Sequence, residues 1–268
     1  MTVITGKRIF AVITGASRGI GRQIAISLAS DVAGDSAFLL LARNVELLES
    51  VKKQIQDVNP NVHVAVAKAD FAEQESIKGL EELVNSVTNG LTIETRLIFH
   101  NAGTIGAVDK PCIEISDPTD WHNYLQSNVV AAVTLNNALY KLFVATSSAP
   151  IFVINITSIA SVKAIPSFTQ YAVGKAAREA YFRNFALEVG SAVRVLSYSP
   201  GPVQTDMVEE IGRNSYDAEM RQHFSSPQTV NTPTHRRRLT PEETVSKLIG
   251  VIDKNDFENG GRIDFFDA

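Results

Sequence analysis

The sequence predicts an α/β fold, a doubly wound parallel sheet of about seven strands with helices on both faces. Two observations carry this. Short β-branched or aliphatic runs recur along the 268 residues with longer helical patterns between them, and parallel neighbours need such crossovers. The first run leads directly into the turn Thr14-Gly-Ala-Ser-Arg-Gly-Ile-Gly21, the strand-turn-helix setting of a single-domain Rossmann-like nucleotide fold.

Taken in chain order, the strands are expected at Ile9–Thr14, Ala37–Ala42, Val62–Ala67, Arg96–His100, Ile151–Ile156, Val193–Tyr198 and Arg262–Phe265. Helices are expected at Ile20–Asp31, Val45–Val58, Gln74–Thr88, Asp120–Thr146, Thr169–Val189 and Pro241–Asp253. Turn chemistry marks the joints Asn59-Pro60, Asn89-Gly90 and Gly260-Gly261. The last helix carries its own start signal, with Thr240 as cap, Pro241 in the first turn and Glu243 closing a capping box. Only Gly201–Leu239 breaks the rhythm. It is polar, contains Pro202, Pro227 and Pro233, and has a weak helical stretch around Met207–Phe224. It follows the sixth strand at the ligand-binding edge of an open α/β sheet, so a substrate lid at 201–239 is expected.

Composition narrows the function. With 44% hydrophobic residues the chain supports one large core, and a net charge of −4 with pI about 5.8 offers no phosphate track for nucleic acid. The one basic run, His235–Arg238, reads as solvated loop. Cys112 stands alone, excluding an internal disulfide, and the histidines at 63, 100, 122, 223 and 235 lack metal-ligand spacing, so no metal is expected. Met1–Arg8 lacks signal-peptide design, and no run approaches the roughly 18 uninterrupted apolar residues of a membrane span. The expectation is a soluble cytoplasmic protein without membrane contact.

The glycine turn predicts the cofactor site. Gly15 permits the sharp turn, Gly19 lets backbone approach a pyrophosphate, and Gly21 allows close helix packing, while free amides at the helix start hold the anion. The second strand ends in Arg43-Asn44, where an acidic residue would select NAD and an arginine accommodates the 2′-phosphate of NADP. Arg18 adds a second positive charge. NADP(H) is therefore expected, with Glu46 the one nearby acid. Asp70, after the third strand, is placed either to accept from the adenine amino group or to cap the next helix. Asn101-Ala102-Gly103, after the fourth, supplies small residues where backbone would pass the nicotinamide ribose.

Proton chemistry is predicted by Ser158, Tyr171 and Lys175. Tyrosine, with a free pKa of about 10, is a sluggish acid unless its anion is stabilised. A lysine four residues on lies on the same helix face and can supply that charge. Ser158, ending the fifth strand, can hydrogen-bond a carbonyl oxygen. Each residue alone is ordinary: an amphipathic pair, a turn serine. Their joint placement after the fifth strand of a nucleotide fold points to carbonyl reduction.

These motifs together resemble the short-chain dehydrogenase/reductase family, and the likeness covers essentially the whole chain. It rests on Thr14–Gly21, Asn101–Gly103, Asn128, Ser158, Tyr171 with Lys175, and Pro200-Gly201 with Thr205. The resemblance implies that Asn128 helps place Lys175 through a water, although Asn128 is equally readable as a polar residue buried in its helix. It also implies that Ser17, Ile20, Pro200, Gly201, Val203, Thr205 and Met207 join the cofactor site, with Pro200–Thr205 bordering the nicotinamide amide. Within the family the likeness is to the branch of sepiapterin and benzil (1,2-diketone) reductases, carried by Ala42-Arg43-Asn44, Gly174–Arg178, Thr205-Asp-Met207 and the tail Asp256–Asp267. It implies a vicinal dicarbonyl substrate and a homodimer. In this branch Asp264 would anchor a pterin, whose amino and ring N–H groups a carboxylate can accept, while Asp267 matches a more general acid. Ile159, Ala160, Ile165, Pro166 and Phe168, with Gly201, form an apolar wall equally suited to an aryl diketone. Another ketone or secondary alcohol stays open, as does a non-catalytic NADPH-binding sensor, which would typically lack Tyr171 or Lys175. The apolar residues Leu135, Leu139, Phe143, Tyr181, Phe182 and Phe185 serve either a dimer interface or the core.

Overall fold

The structure, a computed structural model, describes residues 2–73, 79–225 and 236–267. Its strands are β1 (Ile9–Thr14), β2 (Ala37–Ala42), β3 (His63–Lys68), β4 (Thr95–His100), β5 (Ile151–Ile156), β6 (Val193–Ser199) and β7 (Gly261–Asp264). They form one parallel sheet in the order β3-β2-β1-β4-β5-β6-β7. Strand order reverses between β1 and β4, the switch point at which such sheets open a ligand crevice. The expected strands hold to within a residue or so. The third lies one residue later than expected, and the seventh one residue earlier.

The central strands β1, β2, β4 and β5 are buried at every position because both sheet faces are covered. In β1, Ile9, Ala11 and Ile13 pack with α1 (Gly19–Asp31), α2 (Val45–Val58) and α9 (Pro241–Lys254). Phe10 and Val12 point the other way, toward α3 (Leu80–Thr88), α5 (Ala131–Thr146) and α6 (Thr169–Val189). The capping box at Thr240 and Glu243 is formed as expected.

Two helical expectations need correction. The helix expected over Gln74–Thr88 is described only from Leu80, after Gly79 at φ 70°; residues 74–78 lie outside the described residues. The long helix expected over Asp120–Thr146 instead starts at Pro118, because Asp117 accepts from the Thr119 amide. It runs as α4 (Pro118–Leu125), a π turn at Gln126–Val130, and α5. The 118–146 stretch is long and apolar enough by composition to cross a membrane, but Leu135, Leu139 and Phe143 bury into the core. Phe182 and Phe185 do likewise, so for these residues the core reading holds.

The 201–239 segment is more ordered than its composition predicts. It contains α7 (Asp206–Asn214) and α8 (Ala218–Ser225), followed by residues 226–235 outside the described set. A parallel bridge between Val203 and Leu239 closes its base. At its far end Tyr216 N donates to Val108 O at 2.7 Å, and the Ser167 and Ser215 hydroxyls meet at 2.5 Å.

Candidate active site

The cofactor cradle is built by close backbone approach. Gly15 has φ +66°, and a Cβ at Gly21 would lie 2.3 Å from Gly15 O and 2.5 Å from Asn101 Nδ2. Helix α1 begins at Gly19 with no side-chain cap, leaving first-turn amides for an anion. A turn of this shape fits a nucleotide pyrophosphate. Thr205, at the start of the lid, stands over it, with Cγ2 3.2 Å from where a Gly19 Cβ would sit. Ser17 and Ile20 lie within the turn.

Asn101 serves the cradle from the other side. Its Nδ2 donates to Thr14 O at 3.0 Å and Gly15 O at 3.2 Å, while Thr14 Oγ1 accepts from the Asn101 and Ala102 amides at 3.0 Å each. The glycine turn and the Asn101–Gly103 loop are thus one rigid unit across the switch point. Arg43 is exposed at the end of β2. Asn44 spends its side-chain oxygen capping α2, accepting from Leu47 N at 2.7 Å. Asp70 accepts from Ala72 N at 3.1 Å, a local turn; it caps no helix among the described residues. Arg18 pairs with Asp206 at 2.5 Å, both well exposed.

At the carboxyl ends of β4 and β5 the proton-transfer candidates converge. Ser158 follows β5, its hydroxyl accepting from Ala160 N at 3.2 Å and lying near enough to Tyr171 to act on the phenol. Burial pushes the Tyr171 phenol up, opposed by the Ser158 hydroxyl and by the positive charge of Arg178. Lys175 Nζ donates to Ile156 O at 2.7 Å and lies 5.4 Å from the Tyr171 ring centre. Its pKa falls well below the ordinary value, through burial first and then the Arg178 charge, with Glu179 opposing. Asn128 sits in the π turn, donating to Tyr124 O at 2.9 Å and accepting from Thr104 N at 2.7 Å. It is buried, and it fixes the chain just beyond Gly103.

The surroundings of Tyr171 on the Phe168 side are apolar. Ile105, Val108, Ala160, Phe168 and Ile211 form a cluster joined by Ile165, Tyr171, Met207, Met220 and Phe224. Phe168 meets the Tyr171 ring edge-on at 5.8 Å. Phe168 also meets the Phe224 ring at 6.1 Å, so α8 and Tyr171 pack on the same aromatic side chain. Gly201 (φ +76°) runs against Phe266 and Leu239, with Pro200 O accepting from Thr244 Oγ1 at 2.9 Å. Ile159 lies in the short 3-10 turn after Ser158.

Asp264 is not a free carboxylate. Arg262 grips it through two hydrogen bonds of 2.9 and 3.0 Å, and also donates to Ser158 O at 3.1 Å and Glu179 Oε1 at 2.7 Å. Glu179 in turn accepts from the Thr157 and Ser161 hydroxyls. This network braces the Ser158 turn, and its key members, Arg262 and Glu179, went unread in the sequence. So did the role of Arg178. An arginine on a helix reads as surface, and only its place seven residues after Tyr171, on the same face, could have marked it. A separate concavity of about 550 Å³, lined by Lys52, Asn61, His63 and Ser86, lies along edge strand β3 and contains none of these groups.

The profile of the family described as short chain dehydrogenase matches residues 10–215. Sepiapterin reductase of Xenopus laevis is 32% identical over 97% of this chain and 96% of its own. That of Rattus norvegicus is 30% identical over 96% of this chain and 95% of its own. Among solved structures, L-sorbose reductase from Gluconobacter frateurii, complexed with NADPH and L-sorbose, superposes with TM-score 0.78 at 26% identity, over 97% of this chain and 95% of that one.

Proposed function

The chain belongs to the short-chain dehydrogenase/reductase family and is a nicotinamide-dependent oxidoreductase, and on that premise we propose that it is an NADPH-dependent reductase of vicinal dicarbonyl compounds. The observation that carries the chemistry is the convergence of Ser158, Tyr171 and Lys175 beside an apolar cluster, with Lys175 Nζ 5.4 Å from the Tyr171 ring centre. When bound, the reduced nicotinamide supplies hydride to the carbonyl carbon. Ser158 orients the carbonyl oxygen, and Tyr171 donates its phenolic proton to that oxygen. Lys175, beside the ring, stabilises the phenolate that remains. The cluster of Phe168, Met207 and Phe224 excludes water from the reacting face.

Arg43 and Arg18 support the choice of NADPH, being exposed charges at the end of β2 and in the glycine turn. Residues Gly15, Gly19, Gly21, Ala102, Gly103, Val203 and Thr205 would line the cofactor. Exposed Val130, Val144, Val173 and Leu187 on the π turn, α5 and α6 support a homodimer through these helices.

The relatives named sepiapterin reductase favour a pterin dicarbonyl, and Asp264 retains lone pairs beyond the two that Arg262 occupies. The apolar wall favours an aryl diketone as well. Sepiapterin and benzil, tested as substrates of wild type and Asp264→Ala, separate the two. A loss of roughly tenfold or more on sepiapterin alone, the size of one charged hydrogen-bonding contact, supports the pterin anchor. Equal losses on both make Asp264 a brace for Ser158. No NADPH oxidation with any dicarbonyl refutes the substrate class.

A further inference from the structure

Arg178 is 1% exposed, among the largest fully buried side chains of the molecule. Among the described residues no carboxylate pairs with it. Its guanidinium is satisfied by neutral oxygens: Nε donates to Asn155 Oδ1 at 2.9 Å, one terminal nitrogen to Ala102 O at 3.0 Å, and the other to His100 O. Burying a cation without a counter-ion is expensive even where hydrogen bonds are complete. Methionine or leucine would fill the same volume at lower cost, so packing alone does not account for an arginine here.

The acceptors give the reason. His100 O and Ala102 O bracket Asn101, whose side chain is bonded to both Thr14 O and Gly15 O. Asn155 lies on β5, two residues before the strand yields to Thr157 and Ser158. The guanidinium therefore ties together the nicotinamide-side loop, the strand that delivers Ser158, and α6. On α6, Tyr171, Lys175 and Arg178 stand at i, i+4 and i+7, one row along one face. A planar fork of five fixed donors can span three acceptors on separate elements, which an ammonium cannot. His100 adds no second positive charge, since burial and Arg178 pull its pKa down to about 3. The Arg178 charge also acts on both Tyr171 and Lys175.

We propose that Arg178 is a positioning residue for the reaction, locking the Asn101–Gly103 loop against the Tyr171–Lys175 row so that the nicotinamide face and the proton donor keep one geometry. The proposal rests on the reductase reading for its kinetic arm but not for its binding arm. Arg178→Lys keeps the charge and loses the fork; Arg178→Met loses both. The readouts are NADPH affinity by fluorescence titration, steady-state kinetics with a dicarbonyl, and thermal melting.

NADPH affinity is expected to fall about tenfold in Arg178→Lys, and further in Arg178→Met, as one and then all loop anchors are lost. The kcat is expected to fall by roughly a hundredfold through misplacement, while KM for the carbonyl substrate stays near wild type. A merely structural role would instead lower the melting temperature and active fraction, leaving affinity and both KM values unchanged. That outcome in Arg178→Lys, which retains the charge with its donors on a single nitrogen, overturns the proposal even where Arg178→Met does not fold. Wild-type NADPH binding without dicarbonyl turnover would sink the substrate reading and leave the affinity arm decisive.

Discussion

Substituting Gly21 by alanine puts a methyl group where the glycine turn has no room. The new Cβ would lie 2.3 Å from Gly15 O and 2.5 Å from Asn101 Nδ2, against the 3.0 Å below which real Cβ contacts essentially never fall. The turn carbonyl must therefore withdraw by at least 0.7 Å, the difference of those two distances. It is held by the Gly15 N to Leu41 O bond and by Asn101, so it cannot move freely. Overpacking of this kind costs about 1–3 kcal/mol. That cost corresponds to a melting temperature lowered by roughly 2–12 °C for a domain of this size. NADPH affinity is expected to fall about 5- to 100-fold if the distorted turn is the pyrophosphate cradle. Gly250→Ala is the matched control, since in α9 nothing lies within 4 Å of its Cβ position. There the same change should stabilise by about 0.5–1 kcal/mol and leave cofactor affinity alone. Differential scanning fluorimetry and NADPH fluorescence titration on both variants decide the matter. A Gly21→Ala protein with wild-type affinity and melting would refute the reasoning.

Two further predictions concern coenzyme choice and acid stability. Arg43→Asp should move preference from NADPH toward NADH in the ratio of kcat/KM values, and an unchanged ratio removes Arg43 from the site. Asp253, whose burial alone would raise its pKa, is instead drawn below the usual value by the Val3, Ile4 and Thr5 amides and the Thr5 hydroxyl. A depressed carboxyl stabilises the fold above its unfolded pKa and loses that contribution as pH falls through the folded value. Asp253→Asn should therefore lower melting at pH 7 and converge with wild type below about pH 4; parallel melting curves at every pH would contradict it.

The fold was legible because its strands are short runs rich in apolar residues and helices such as α2 and α9 keep a 3.6-residue apolar period, and both signals are local. The glycine turn and the Tyr171–Lys175 spacing are local as well. What escaped depends on partners distant in sequence. Arg178 meets the loop at 100–102, and Arg262 meets residues 158 and 179, so neither side chain's burial can be seen from its neighbours. The weak helical stretch expected around Met207–Phe224 is two helices in the structure. Helices α7 and α8 are 9 and 8 residues long, and the break between them, where Tyr216 N donates to Val108 O, depends on a partner distant in sequence. Asn44 shows the opposite ambiguity, since a residue at the start of a helix can both cap it and face a ligand. Its cap was visible in principle, as an Asn three residues before the Leu47 amide it accepts from.

The proposed proton donation by Tyr171 is the step that a single variant tests most directly. Tyr171→Phe keeps the ring that packs on Phe168 and removes only the hydroxyl. With benzil or sepiapterin as substrate, kcat is predicted to drop about 10²- to 10⁴-fold, the usual worth of a positioned general acid, while NADPH titrates with nearly wild-type affinity. Near-normal turnover in that variant would contradict the central claim.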